Sequence, residues 1–152
     1  MLLKITYQDQ FFVAVNKPHG LFVHNTGLAN ETDVFALQIL RDQIGQQVFP
    51  VHRLDRKTSG VLLFALNKMV LAQLSTLFEN KKIFKKYYAI VRGFTENEGV
   101  IDYALTNDKG KIQEAVSNYK TIEHVEIPYS MGKYSKQRYS LVEVVPETGR
   151  MH

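Results

Sequence analysis

Cysteine and tryptophan are both absent from the 152 residues. The lack of cysteine excludes disulfides, Cys-ligated zinc or iron–sulfur centres and thiolate nucleophiles, and it suits a reducing compartment. Proline and glycine are scarce, at 4 and 9 residues, so collagen-like and low-complexity readings fall away. Long apolar runs are missing too. The longest, Val61 to Leu66, has six residues where a bilayer span needs roughly 20. The first fifteen residues carry no charged segment followed by an apolar one, and a cytoplasmic location is expected. The five histidines (19, 24, 52, 124 and 152) form no i, i+3 or i, i+4 pair with a carboxylate partner, so no metal site is expected. Phosphate-cradling, dinucleotide-binding and G-x-S-x-G motifs are also lacking. What remains is the composition of one globular domain over residues 1–152, 45% hydrophobic and 22% charged. A net charge of +4 and a pI near 9.2 favour a polyanionic partner.

Periodicity predicts an alternation of strands and helices. Leu2 to Tyr7 and Phe11 to Val15 read as strands joined at the polar break Gln8-Asp9-Gln10. Asn16 to Gly20 ends the second, because Pro18 cannot donate to a ladder. Leu37, Leu40 and Ile44 recur at helical spacing, which predicts a helix over Asn30 to Ile44. Asn30 or Thr32 would cap it, with Glu31 and Asp33 in its first turn and Gly45 beyond its end. The run Val61 to Leu66 predicts a central strand buried on both faces. Val70, Leu74, Leu77 and Phe78 place one apolar stripe on a helix from Asn67 to about Asn80. From Lys85 to Val91, Lys85, Tyr87, Ala89 and Val91 alternate with Lys86, Tyr88 and Ile90, the pattern of a strand. Further strands are expected at Ala115 to Ile127 and Gln137 to Val145, with a turn at Asn107 to Gly110 and a loop from Pro128 to Lys136. The order implies a mixed α/β, or α+β, domain: a largely antiparallel central sheet with two packed helices.

Charge is uneven. The stretch from Glu79 to Arg92, with Lys81, Lys82, Lys85 and Lys86, carries a net +4, whereas Glu96 to Glu126 carries −4. The lysines suit a polyanion-binding face and equally the solvation of a helix end. Function-grade residues concentrate in His52-Arg53-Leu54-Asp55-Arg56-Lys57-Thr58-Ser59-Gly60. An acid between Arg53 and Arg56 would be held ionised, able to serve as nucleophile or base, on a tight Thr-Ser-Gly turn. A surface salt-bridge loop has the same composition.

The stretch H-R-L-D-x-x-T-S-G at His52 to Gly60 resembles the signature of the RluA-type pseudouridine synthases. K-x-Y-x-A-x-V-x-G at Lys85 to Gly93, P-x-T-G-R-x-H at Pro146 to His152 and V-N-K-P-x-G at Val15 to Gly20 match further motifs of that family, in order. The resemblance covers the chain from Val15 onward. It implies an RNA-modifying isomerase without metal or cofactor, in which Asp55 is the catalytic aspartate. Tyr87 is implied to lie against the uracil and take part in removing the C5 proton, and Arg150 to pair with the aspartate. Arg53 is implied to fill the gap left by the flipped nucleotide. Taken singly, Tyr87 also reads as a core aromatic and Arg53 as a structural partner of Asp55. Phosphate contacts are expected from Lys17, Lys81, Lys82, Lys85 and Lys86, and His52 and Arg56 are expected to bind the RNA as well. The flanking text, such as D-R-K-T-S-G-V-L-L, is most similar to members acting on tRNA. That implies tRNA, at uridine 65, ahead of rRNA as substrate.

Only 51 residues precede His52, so no additional N-terminal RNA-binding domain is expected. Family members continue past T-G-R-x-H, and the chain is expected to be the N-terminal portion of a domain that is monomeric at full length. In this form it is expected to dissolve poorly or associate. A non-catalytic RNA-binding module and an inactive fragment are the alternative readings.

Overall fold

The computed structural model describes residues 1–25, 34–107 and 110–149. The chain divides into two compact units, Met1–Lys82 and Ile83–His152.

In the first unit, β1 (Lys4–Gln8), β2 (Phe12–Lys17), β3 (Phe49–Pro50) and β4 (Gly60–Ala65) form an antiparallel sheet of order β1-β2-β4-β3. The turn falls at the expected polar break. The Asp9 carboxylate accepts from the backbone N–H groups of Phe11 (2.7 Å) and Phe12 (2.9 Å), which holds its pKa below the ordinary carboxylate value. Val13, Val15, Leu62 and Phe64 are completely buried, each contributing about 1.5–3 kcal/mol.

Helix α1 (Ala36–Ile44) buries Ala36 and Leu40. Its Gln43 side chain bonds both the N–H (2.8 Å) and the carbonyl (3.0 Å) of Leu3, pairing that residue as a neighbouring strand would. The helix begins later than the periodicity suggests, with extended Phe35 as its N-terminal flanking residue and no side-chain cap. The candidate caps Asn30 and Thr32, and the acids Glu31 and Asp33, lie outside the described residues. Helix α2 (Lys68–Glu79) starts where expected, with the Asn67 side chain accepting from Val70 N–H at 2.9 Å. It ends in a Schellman motif: Lys82 N–H reaches Leu77 O (2.9 Å) and Lys81 N–H reaches Phe78 O (3.1 Å). The left-handed position of that motif, usually glycine, is held by Lys81 at φ 55°. The expectation that β4 is buried on both faces is corrected at Val61, which is 60% exposed. β4 is interior to its sheet, yet its Val61 side chain stays open to solvent.

In the second unit, β5 (Tyr87–Arg92), β6 (Glu98–Asp102), β9 (Val116–Ile127) and β10 (Gln137–Pro146) form an antiparallel sheet of order β5-β10-β9-β6. β7 (Leu105–Thr106) and β8 (Ile112–Gln113) make a small hairpin. The turn between them was expected at Asn107 to Gly110. Asn107 and Gly110 do bond (2.9 Å), while Asp108 and Lys109 lie outside the described residues. β9 and β10 are a long hairpin with one register shift between Leu141 and Val142, where Leu141 faces Glu123 and Val142 faces Thr121, leaving Ile122 of β9 as the extra residue. Across β6 and β9 the Tyr119 ring lies over Gly99, where a Cβ would meet it at 2.8 Å. The fold is thus α+β with antiparallel pairing and two helices, its strands distributed over two four-stranded sheets and one short hairpin.

Candidate active site

Antiparallel pairing of β2 with β4 sets Lys17 opposite Gly60, so the segment after β2 and the segment before β4 leave the sheet at one end. These segments carry residues 18–22 and 51–59.

The approach to Asp55 runs alongside β4. Val51 N–H bonds Leu63 O (3.0 Å), and Leu63 N–H in turn donates to Nε2 of His52 (3.2 Å), so an imidazole replaces a carbonyl in the ladder. An accepting Nε2 places the ring proton on Nδ1, which faces Arg53 O at 3.4 Å. The ring also stacks on Phe78 of α2, centroids 5.0 Å apart. Half-buried, His52 thus fixes the loop against β4 and α2, a structural part that its expected role as an RNA contact did not include.

Asp55 opens a tight turn closed by Thr58 N–H to Asp55 O at 3.0 Å, with buried Leu54 anchoring it and the Asp55 carboxylate exposed. The 17–22 segment clamps this turn. Arg56 O accepts from Gly20 N–H (2.8 Å) and from Lys17 Nζ (3.2 Å), Arg56 Nε donates to Gly20 O (3.0 Å), and His19 Nδ1 donates to Lys57 O (2.7 Å). Gly20 makes both of its contacts at φ 85°, a conformation open to glycine at little cost. The Arg56 guanidinium lies 4.8 Å over the Phe22 ring.

Lys17 is the second correction. It is fully buried, and its ammonium donates to the carbonyls of Pro18 (3.1 Å), Leu21 (2.8 Å) and Arg56. No phosphate can reach it. Burial pushes its pKa down, and the Asp55 carboxylate pushes it back up, so the two charges feel each other within the loop. Among the described residues no ion pair joins Asp55 to Arg53 or Arg56; the Arg56 guanidinium is engaged by Gly20 and Phe22, and Arg53 is exposed. Lys17 thus holds the backbone of the Asp55 turn from inside the unit, through the carbonyl of Arg56. His19, Gly20 and Phe22 were missed as supports. The V-N-K-P-x-G motif was visible, but its contact with residues 55–58 depends on strand register, which no local pattern specifies.

In the second unit Tyr87 begins β5, half-buried beside Lys85 and Ala89, while Lys86, Tyr88 and Ile90 face out, as the alternation predicted. Lys86 pairs with Glu143 of β10 at 3.0 Å, an exposed pair that raises the lysine's pKa and lowers the glutamate's. Lys81 and Lys82 are exposed at the end of α2. Arg150 lies outside the described residues. Among the described residues no three imidazoles or carboxylates gather in a way that could hold a metal ion.

Chemically, the first unit presents an exposed carboxylate on a turn whose backbone is bonded by the 17–20 segment, a buried lysine among its donors. Residues 11–152 match the family model described as RNA pseudouridylate synthase. The chain is 52% identical over 161 residues to tRNA pseudouridine synthase C of Vibrio parahaemolyticus, covering 99% of this chain and 65% of that protein. It is 50% identical over 163 residues to tRNA pseudouridine synthase C of Pasteurella multocida, covering 100% and 67%. The chain thus spans about two thirds of the length of these curated relatives. Human RNA pseudouridylate synthase domain containing 4 superposes with a TM-score of 0.71 at 29% identity, over 98% of this chain and 60% of that one. Human RNA pseudouridylate synthase domain containing 1, at 24% identity and a TM-score of 0.75, shares the fold.

Proposed function

The chain belongs to the RNA pseudouridylate synthase family, and from that premise we propose that it acts in the isomerisation of uridine to pseudouridine in tRNA, with Asp55 as the catalytic carboxylate. The observation that carries this reading is the turn at Asp55. Its carboxylate is exposed while its backbone is held by Thr58, Lys17, Gly20 and His19, the arrangement a reacting group needs to meet a substrate without reorganising. The net chemistry moves the glycosidic bond: C1′–N1 breaks, the uracil rotates, C1′–C5 forms, the C5 proton leaves and N1 gains one. No redox equivalent is consumed. Tyr87 supplies a phenol for the C5 proton, and exposed Arg53 is available to enter the stack when the target nucleotide is flipped out. The names of the relatives favour tRNA over rRNA, and the similarity of the text around Asp55 favours uridine 65.

The test is release of tritium from tRNA labelled at C5 of uridine, comparing the chain with its Asp55→Asn variant and mapping the product position. Release by the chain, lost in the variant, supports the proposal. Binding of tRNA with no release by the chain would instead make it an RNA-binding module.

A further inference from the structure

The hairpin of β9 and β10 ends in a tip that nothing above uses. Residues 128–136 hold Tyr129, Met131 and Tyr134, which are 66%, 57% and 51% exposed, beside Lys133 and Lys136. Such aromatics on a polar loop need a reason.

The tip is built rather than loose. Met131 and Tyr134 pair backbone to backbone (2.9 and 3.3 Å) around Gly132-Lys133, with Gly132 at φ 60° in the first central position, as in a type II′ turn. At its root, Gln137 is buried. Its amide donates to Tyr129 O (3.5 Å), and its carbonyl accepts from the Arg92 guanidinium (3.3 Å). Arg92 in turn lies 5.5 Å from the Tyr134 ring centroid, and Lys133 lies 5.4 Å from it. Beside this, Phe94 stacks on His124 at 4.7 Å and carries the Arg138 guanidinium at 5.1 Å. Glu126 bridges Lys136 (2.5 Å) and Arg138 (2.9 Å), the single carboxylate among four cations.

We propose that this tip is an accessory RNA-binding surface on which unpaired nucleotides stack, with Tyr129 and Tyr134 as platforms and Arg92, Lys133 and Lys136 facing the phosphates. Exposed rings suit unstacked bases, which offer π-faces that paired bases keep hidden, and the surrounding cations suit the backbone that must accompany them. A protein partner would meet the same rings, but four cations held near them favour a polyanion. The proposal rests on the RNA substrate proposed above. It assigns a further contact region, carried by the second unit, to the same RNA.

Binding of an unmodified tRNA transcript would be measured by fluorescence anisotropy over a salt series. The full chain would be compared with Tyr129→Leu/Tyr134→Leu, Tyr129→Phe/Tyr134→Phe and Lys133→Gln variants, each checked for unchanged thermal unfolding. The leucine pair should weaken tRNA binding roughly tenfold and leave binding to a blunt RNA duplex unchanged, while the phenylalanine pair binds like the full chain. Lys133→Gln should reduce the salt slope by roughly 0.7–0.9. Equal tRNA affinity for the leucine pair and the unchanged chain would overturn the proposal and leave the proposed function standing. Loss of self-association in the leucine pair, with tRNA binding unaltered, would assign the tip to a second copy and overturn it as well. Failure of the unchanged chain to bind tRNA at any salt would sink both readings.

Discussion

The two units solve the problem of a small antiparallel sheet in opposite ways. The first has a core: among the described residues, every buried apolar residue but one belongs to it, from Leu3 to Val70. The second buries Val142, Gln137 and Ser140 and leaves Phe84, Tyr88, Ile90 and Tyr103 largely exposed. Burial of apolar area is the larger stabilising quantity in the first unit, whereas the second relies on a long ladder and on polar locks. One such lock is Ser140, which donates to Gly93 O (2.8 Å) and accepts from Thr95 N–H (3.0 Å). The contrast bears on where the proposed catalytic carboxylate is placed. Asp55 is mounted on the unit whose packing resists displacement, and the aromatic and basic surfaces extend from the other.

The comparison can be broken most sharply at Asp55. Asp55→Asn should remove uridine conversion by roughly a thousandfold or more while leaving the unfolding transition in place, measured by tritium release beside thermal unfolding. Loss of stability of the same order would mean that the turn, and not the carboxylate, is the essential feature.

The next effect concerns the core itself. Phe64→Ala should cost about 3–5 kcal/mol in denaturant unfolding, whereas Ile90→Ala, on the open face of β5, should cost at most about 0.5 kcal/mol. Similar costs at both positions would erase the distinction between the units.

Lys17→Met should cost about 2–3 kcal/mol, because three carbonyls lose their donor in a buried place. It should also lower conversion by loosening the turn at Arg56. The pH dependence has a definite sign. The folded-state pKa of Lys17 lies below its value of 10.5 in the unfolded chain, so the unfolded state binds more protons between the two values. Stability of the unchanged chain relative to Lys17→Met should therefore rise as pH climbs through that window toward 10.5, and a flat difference would contradict the assignment.

The smallest effect is a gain. Lys81→Gly should stabilise the first unit by about 1 kcal/mol, since glycine adopts the left-handed position without the side-chain clash that lysine tolerates there. If tRNA affinity falls in the same variant, the strained lysine is retained for its charge.

Much of this organisation was legible from residue order. The start of α2 at Asn67, the hairpin at Asp9 and the alternation along β5 follow from local chemistry, and the Asp55 segment stood out by composition and by motif. Other features were illegible for physical reasons. β3 is two residues long and is defined by pairing with Phe64 and Ala65 rather than by its own sequence. β6 contains Gly99 and two acids, poor strand formers, and depends on β9 and on the Tyr119 ring. Lys17 was misread as a surface cation because a buried lysine is rare and nothing local announces the three carbonyls that receive it. The structural part of His52 was illegible because its partners lie 11 and 26 residues away.

The strand order of the second sheet also bears on how the chain comes to be folded. In the first unit the last strand needed, β4, ends at Ala65, so that sheet can close on a nascent chain soon after its own residues emerge. In the second, the strand paired with β5 among the described residues is β10, which does not begin until Gln137. Tyr87 must wait for Val144, 57 residues further along the chain, an edge left open meanwhile to any other extended chain. Assembly from the ribosome is thereby vectorial: the turn bearing Asp55 takes shape first, and the strand bearing Tyr87 becomes a strand last.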